Sequence, residues 1–182
     1  MTVFRKLLPT ESGRYRAHLL RLSPEDRRAR FMGGIGDGAV GAHCARIDWS
    51  RTVLVACIER GEVRGAAELR LGAGGEAELA VSVERDWQGR GVGTGLVRRI
   101  LTAARNRRAR RVYMLCLPEN HRMQRIAVRL MGPCVFEGGE VTSSVELAPR
   151  TPLTLVQEAI DTGAVPLGMI LDQWQGDGRH AA

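Results

Sequence analysis

Residues 76–93 run Glu-Ala-Glu-Leu-Ala-Val-Ser-Val-Glu-Arg-Asp-Trp-Gln-Gly-Arg-Gly-Val-Gly, and how this stretch parses decides the fold. Its first half, Ala77 to Val83, is an apolar strand-like run. Thr94 to about Asn106 follows with Leu96, Val97, Ile100, Leu101, Ala103 and Ala104 at helical spacing. Between them lie Gln88, Gly89, Arg90, Gly91, Val92 and Gly93. Glycines at alternate positions adopt backbone conformations closed to other residues, so successive N–H groups can form a concave nest. A helix that starts behind such a nest adds the positive end of its dipole. The stretch is therefore built to hold a phosphate or pyrophosphate.

Spacing excludes two common phosphate loops. A P-loop needs a lysine after its last glycine, and Lys6 is the only lysine in the chain. The dinucleotide fingerprint fails as well. Counting from Gly89 puts Thr94 at its final glycine, and counting from Gly91 puts Leu96 there.

The 182 residues suit one domain with a real core. Hydrophobic residues at 44% and charged residues at 26% are ordinary globular proportions, which argues against global disorder. No apolar stretch reaches the roughly 18–20 residues of a membrane helix, and no signal-peptide core follows the basic start. Cys44, Cys57, Cys116 and Cys134 form no C-x-x-C pair, so a reduced, soluble, cytoplasmic protein is expected. His18, His43, His121 and His180 match no metal spacing, and no metal is expected. The net charge of +7 suits an anionic partner, but aromatics at 4% are too few for a nucleic-acid stacking platform. Seven arginines between Arg98 and Arg111 are best read as a solvated helix face, and nucleic acid is not the expected partner.

Elements follow from periodicity and punctuation. A short strand at Val3-Phe4 precedes a helix over Glu11 to Leu22. Ser23-Pro24-Glu25-Asp26 caps a second helix, which ends near Phe31-Met32. Residues 33–48 are Gly-rich and read as loop. Strands are expected over Arg51–Glu59, Val63–Leu71 and Glu76–Val83, with a tight turn at Gly61-Glu62, as an antiparallel meander. After the 94–106 helix come a strand over Val112–Leu117 and a helix over 120–131. A hairpin around Gly138-Gly139 joins Val135-Phe136 to Val141–Leu147. Pro149 and Pro152 mark the domain's end, so residues 1–148 form the domain and 149–182 a helical tail, packed on the domain or extending from it. That tail has a helix over Leu153–Ile160, then Ile170-Leu171 and Trp174.

The loop fits Gln/Arg-x-x-Gly-x-Gly/Ala through Gln88, Gly91 and Gly93. With the element order it resembles the GCN5-related N-acetyltransferase (GNAT) family over residues 1–148. Residues 76–93 and the segment from Leu20 to Phe31 look most like bacterial protein-lysine acetyltransferases. The resemblance implies an α+β fold, with a central, mostly antiparallel twisted sheet flanked by helices. It also implies transfer of an acetyl group from acetyl-CoA to a primary amine, on a protein lysine or a small molecule, by direct attack. Backbone at Val81, Ser82 and Val83 would hold the pantetheine arm. Gln88, Gly89, Arg90, Gly91, Val92, Gly93 and Thr94 would hold the pyrophosphate, and Asn120, otherwise an N-cap, would touch the pantetheine.

A lysine amine has a pKa of about 10.4, so a base must take its proton. Glu78 is the candidate, ten residues before Gln88, with Glu76 its competitor and Glu68 next. In an alternating strand Glu78, Ala80 and Ser82 share one face, with Leu79, Val81 and Val83 on the core face. Many family members carry a tyrosine as general acid where this chain has Ala127, and His121 is the residue that could replace it. That departure keeps a second possibility open, a non-catalytic acyl-CoA-binding sensor or regulatory module of the same fold. The acceptor pocket falls to residues 5–45 and 132–182, where no motif names its substrate, and a homodimer is left open.

Overall fold

Two-residue turns organise the sheet. The strands β2 (Thr52–Glu59) and β3 (Glu62–Leu71) are joined by Arg60 and Gly61, both at positive φ. That geometry matches the right-handed twist of a hairpin. The turn is thus one residue earlier than the sequence suggests, and Glu62 already pairs with Glu59. A short turn at Gly72–Gly75 leads into β4 (Glu76–Val83), which continues the meander. β1 (Val3–Lys6) adds to the outer side of β2. Beyond β4 lie β5 (Arg111–Cys116) and the hairpin of β6 (Cys134–Glu137) and β7 (Glu140–Glu146). The computed structural model describes residues 2–161, and its seven strands run in the order β1-β2-β3-β4-β5-β7-β6. All neighbours are antiparallel except β4 and β5.

Helices cover both faces. On one lie α1 (Ser12–Arg21), α2 (Pro24–Phe31) and α3 (Asp37–Ala45). Ser23 caps α2 by accepting from the Asp26 N–H at 3.1 Å, as its sequence position predicts. The segment read as loop instead contains α3. Its glycines lower helix propensity, but Val40 and Cys44, one turn apart, bury against Tyr15 and Leu19 of α1. Packing of that small apolar stripe overrides local preference.

The other face carries α4 (Val92–Asn106) and α5 (His121–Leu130). Leu96, Val97, Ile100, Ala103 and Ala104 of α4 are fully buried and meet Val55, Cys57, Ala67, Leu69 and Leu79 from the sheet. Gly65 lets α4 approach closely, since a Cβ there would stand 3.0 Å from Val92 and 3.2 Å from Leu96. The last described helix, α6 (Pro152–Asp161), packs on α4. Asn106 donates to Glu158 at 2.6 Å and to the Thr154 carbonyl at 2.8 Å. Lys6 and Arg107 also pair with Glu158. Ile170, Leu171 and Trp174 lie outside the described residues. No helix among those described is long and apolar enough to cross a membrane.

Candidate active site

The parallel pair is the structural key. β4 and β5 pair only through Glu76–Glu78 and Arg111–Tyr113, and past that point they part. Glu84 N–H donates to the Arg64 carbonyl at 2.9 Å and Gly72 N–H to the Glu76 carbonyl at 2.8 Å. Antiparallel pairing alternates, so Glu78, Ala80 and Ser82 direct their backbone groups to β3, while Val81 and Val83 direct theirs into the gap. That gap is where an extended ligand could complete the sheet.

The gap opens into a cavity of about 1000 Å³. Its walls are Val81 to Val83, residues of the glycine loop, α2 and α5. Gly89 and Gly91 stand at φ +73° and +79°, the left-handed region that strains any side chain. Gly91 caps α4, whose first-turn N–H groups have no intrahelical acceptor. A Cβ on Gly91 would meet nothing within 4 Å, so its place in the nest is open space. An oxyanion of a pyrophosphate fits this donor set.

The expected loop residues divide by role. Gln88, Gly89, Gly91, Val92, Gly93 and Thr94 line the cavity. The Gln88 amide is already used: it donates to Asp26 of α2 and to the Val83 carbonyl, both at 2.9 Å, and accepts from Arg122 of α5. Arg90 turns its exposed guanidinium over the Trp87 ring instead. Asn120 both lines the cavity and caps α5, accepting from Met123 N–H at 3.1 Å. Ser82 lines the cavity too, but its hydroxyl is bonded to His18 at 2.9 Å on the α1 side.

A second cavity of about 280 Å³ lies further up β4 and is lined by Glu78, Leu79 and Ala80 together with Phe31, His43 and Glu140. Arg30 of α2 lines both cavities, so they adjoin along consecutive residues of one strand. Glu78 is partly buried, at 31% side-chain exposure, with one oxygen 2.6 Å from Arg70. Glu76 is exposed and lines neither cavity.

Glu68 is differently placed. It is 3% exposed, and one of its oxygens meets Tyr15 at 2.8 Å, Arg30 at 2.6 Å and His43 at 2.9 Å. Burial pushes its pKa up, but the His43 hydrogen bond, the Arg30 charge and the Tyr15 hydroxyl outweigh that and hold it at about 2. A carboxylate so held is a structural anion and a poor proton acceptor. Burial in turn pushes the Tyr15 hydroxyl far up, so that it stays a donor to Glu68.

Ala127 is fully buried among α4 and α5 core residues and lines neither cavity. His121 does line the larger one. The arginines of 98–111 are largely stapled within the chain. Arg99 lies over Phe4, Arg105 bonds the Pro149 carbonyl, Arg107 pairs with Glu158 and Arg111 reaches Ser144. Among the described residues no three His, Cys, Asp or Glu side chains cluster as a metal requires.

Residues 17–132 match the acetyltransferase (GNAT) family. The chain belongs to that family. Membership makes it an acyl-CoA-dependent N-acyltransferase of the GNAT fold. It is similar to the acetyltransferase PA5475 of Pseudomonas aeruginosa, with 29% identity over 135 residues, 70% of this chain and 73% of that protein. The GNAT domain of S. lividans PAT superposes with a TM-score of 0.66 at 26% identity, covering 79% of this chain and 89% of that one. An N-acetyltransferase from Staphylococcus aureus Mu50, at 11% identity and a TM-score of 0.64, covers 81% and 99% and shows the shared fold alone.

Proposed function

We propose that the protein transfers an acetyl group from acetyl-CoA to a primary amine, on a protein lysine or a small molecule, by direct attack. The carrying observation is the adjoining of two cavities along β4, one ending on the glycine nest and the other containing Glu78. The pyrophosphate sits on the N–H groups of residues 89–94, and the pantetheine arm pairs with the backbone of Val81 and the N–H of Val83, whose carbonyl already accepts from Gln88. The amine enters the smaller cavity, and Glu78 takes its proton, directly or through water, with the oxygen that Arg70 leaves open. The departing thiolate has an ordinary pKa near 8.5 and can leave without a protein acid, which accommodates Ala127. The domain spans residues 1–148, with α6 packed on it. Four unpaired thiols support a reducing, cytoplasmic setting.

Thiol release from acetyl-CoA against a panel of primary amines tests this. Amine-dependent release that falls in Glu78→Gln is the expected result. Acetyl-CoA binding with no release for any amine would favour a non-catalytic acyl-CoA sensor.

A further inference from the structure

One buried cluster has no part in the reaction above. His18 of α1 is fully buried, with Nε2 2.9 Å from the Ser82 Oγ and Nδ1 3.1 Å from the Glu84 Oε1. Ser82 is 6% exposed and lines the larger cavity, between the two residues whose backbone groups face the gap. A hydroxyl, an imidazole and a carboxylate in this chain of contacts have the arrangement by which a serine is made nucleophilic. We propose that Ser82, His18 and Glu84 are a nucleophilic relay that takes the acyl group of an acyl-CoA when no amine is bound and passes it to water.

The protonation states suit the task. Burial lowers the His18 pKa, against the opposing pull of Glu84, so the ring is neutral and able to accept a proton. The nearby charges on Arg21 and Arg30 push the same way as burial. Burial pushes Glu84 up, but hydrogen bonds from His18, Arg64 and Arg21 hold its pKa at about 2. Glu84 therefore stays ionised, fixes the Nδ1–H tautomer and leaves Nε2 as acceptor for the Ser82 hydroxyl. Arg21 at 2.9 Å and Arg64 at 3.0 Å lock the carboxylate in place.

In the first step the Ser82 oxygen bonds to the thioester carbonyl carbon and its proton passes to His18 Nε2. The carbon–sulfur bond breaks, and the CoA thiolate takes that proton, leaving an acyl-Ser82 ester. A water then attacks the ester, again giving its proton to His18. The carbon–oxygen bond to Ser82 breaks, and the proton returns to the serine. The sum is acyl-CoA and water to CoA and a carboxylic acid, with no other reactant.

This rests on acyl-CoA occupying the larger cavity, so binding is measured beside the chemistry. The protein is incubated with acetyl-CoA and no amine, then followed by thiol release, intact mass and calorimetric binding. The expected result is one added acetyl group on the peptide that contains Ser82. Amine-independent release should fall by about 10²-fold in Ser82→Ala and in His18→Gln, with acetyl-CoA affinity kept. Ser82→Cys should accumulate the same adduct as a thioester, which keeps the test open if Ser82→Ala folds poorly. Binding without any adduct, and release equal in parent and Ser82→Ala, overturns the relay and leaves the cluster as a pin between α1 and β4. A parent protein that does not bind acetyl-CoA overturns the cavity assignment along with it.

Discussion

Glu78, Glu76 and Glu68 are three carboxylates on neighbouring strands, and their surroundings separate them. Glu76 is exposed and lines neither cavity, Glu68 borders the smaller cavity but is held at a pKa of about 2 by three donors on one oxygen, and Glu78 borders the same cavity with a single partner, Arg70. Replacing Glu78 by Gln should lower turnover by about 10²–10⁴-fold, as loss of a general base does, with acetyl-CoA affinity unchanged. The same change at Glu76 should leave steady-state kinetics almost untouched. Equal losses from the two would remove Glu78 from its role. Ala127 gives a second residue-scale test. It faces the core, so Ala127→Tyr should overpack the α4–α5 contact and cost about 1–3 kcal/mol in chemical denaturation, with no gain in rate. Faster turnover in that variant would mean that the position reaches the thioester after all.

At the scale of elements, strands and amphipathic helices were legible because their periods are local. Ala77–Val83 and the α4 stripe emerge as expected, and the glycine loop marks the join between them. The helix α3 was not legible, since its glycines hide a two-residue apolar contact that only α1 completes. The parting of β4 from β5 was equally hidden, because it is a property of a pair of strands and no single segment carries it. Nor could spacing join His18 to Ser82 and Glu84, more than sixty residues away. One signal did exist: His18 sits beside Tyr15 and Leu19 on the buried stripe of α1, where a polar side chain needs a buried partner. The tail helix also proves integral. Asn106 is 7% exposed and relies on Thr154 and Glu158 for its partners. Truncation after residue 148 should therefore lower stability by several kcal/mol, through lost burial and an unpaired buried amide. A truncated protein as resistant to urea as the full chain would show α6 to be an appendage.

Across the whole molecule, two buried carboxylates tie the α1–α3 layer to the sheet. Glu68 holds Tyr15, Arg30 and His43, while Glu84 holds His18, Arg21 and Arg64. Both have folded-state pKa values of about 2, below the ordinary carboxylate range. A depressed pKa contributes stability that is present above the unfolded value and lost as pH falls toward the folded one. Stability should thus drop steeply between about pH 5 and pH 2, read by denaturant midpoints. Glu68→Gln should be less stable at neutral pH by about 3–5 kcal/mol, having left Arg30 buried without its anion, and should show a shallower acid slope. An unchanged slope would place the acid sensitivity elsewhere.

In the proposed reaction acetyl-CoA binds in the gap beyond Glu78 with its pyrophosphate on the glycine nest. Calorimetric titration of acetyl-CoA into the parent protein and into Gly91→Val tests it most directly. Valine at φ +79° fills the open space of the nest and strains the backbone by roughly 1–2 kcal/mol, a loss the fold should survive. Saturable one-site binding by the parent, abolished in a Gly91→Val protein that still unfolds cooperatively, is the predicted result. Equal affinity in the two proteins would contradict it.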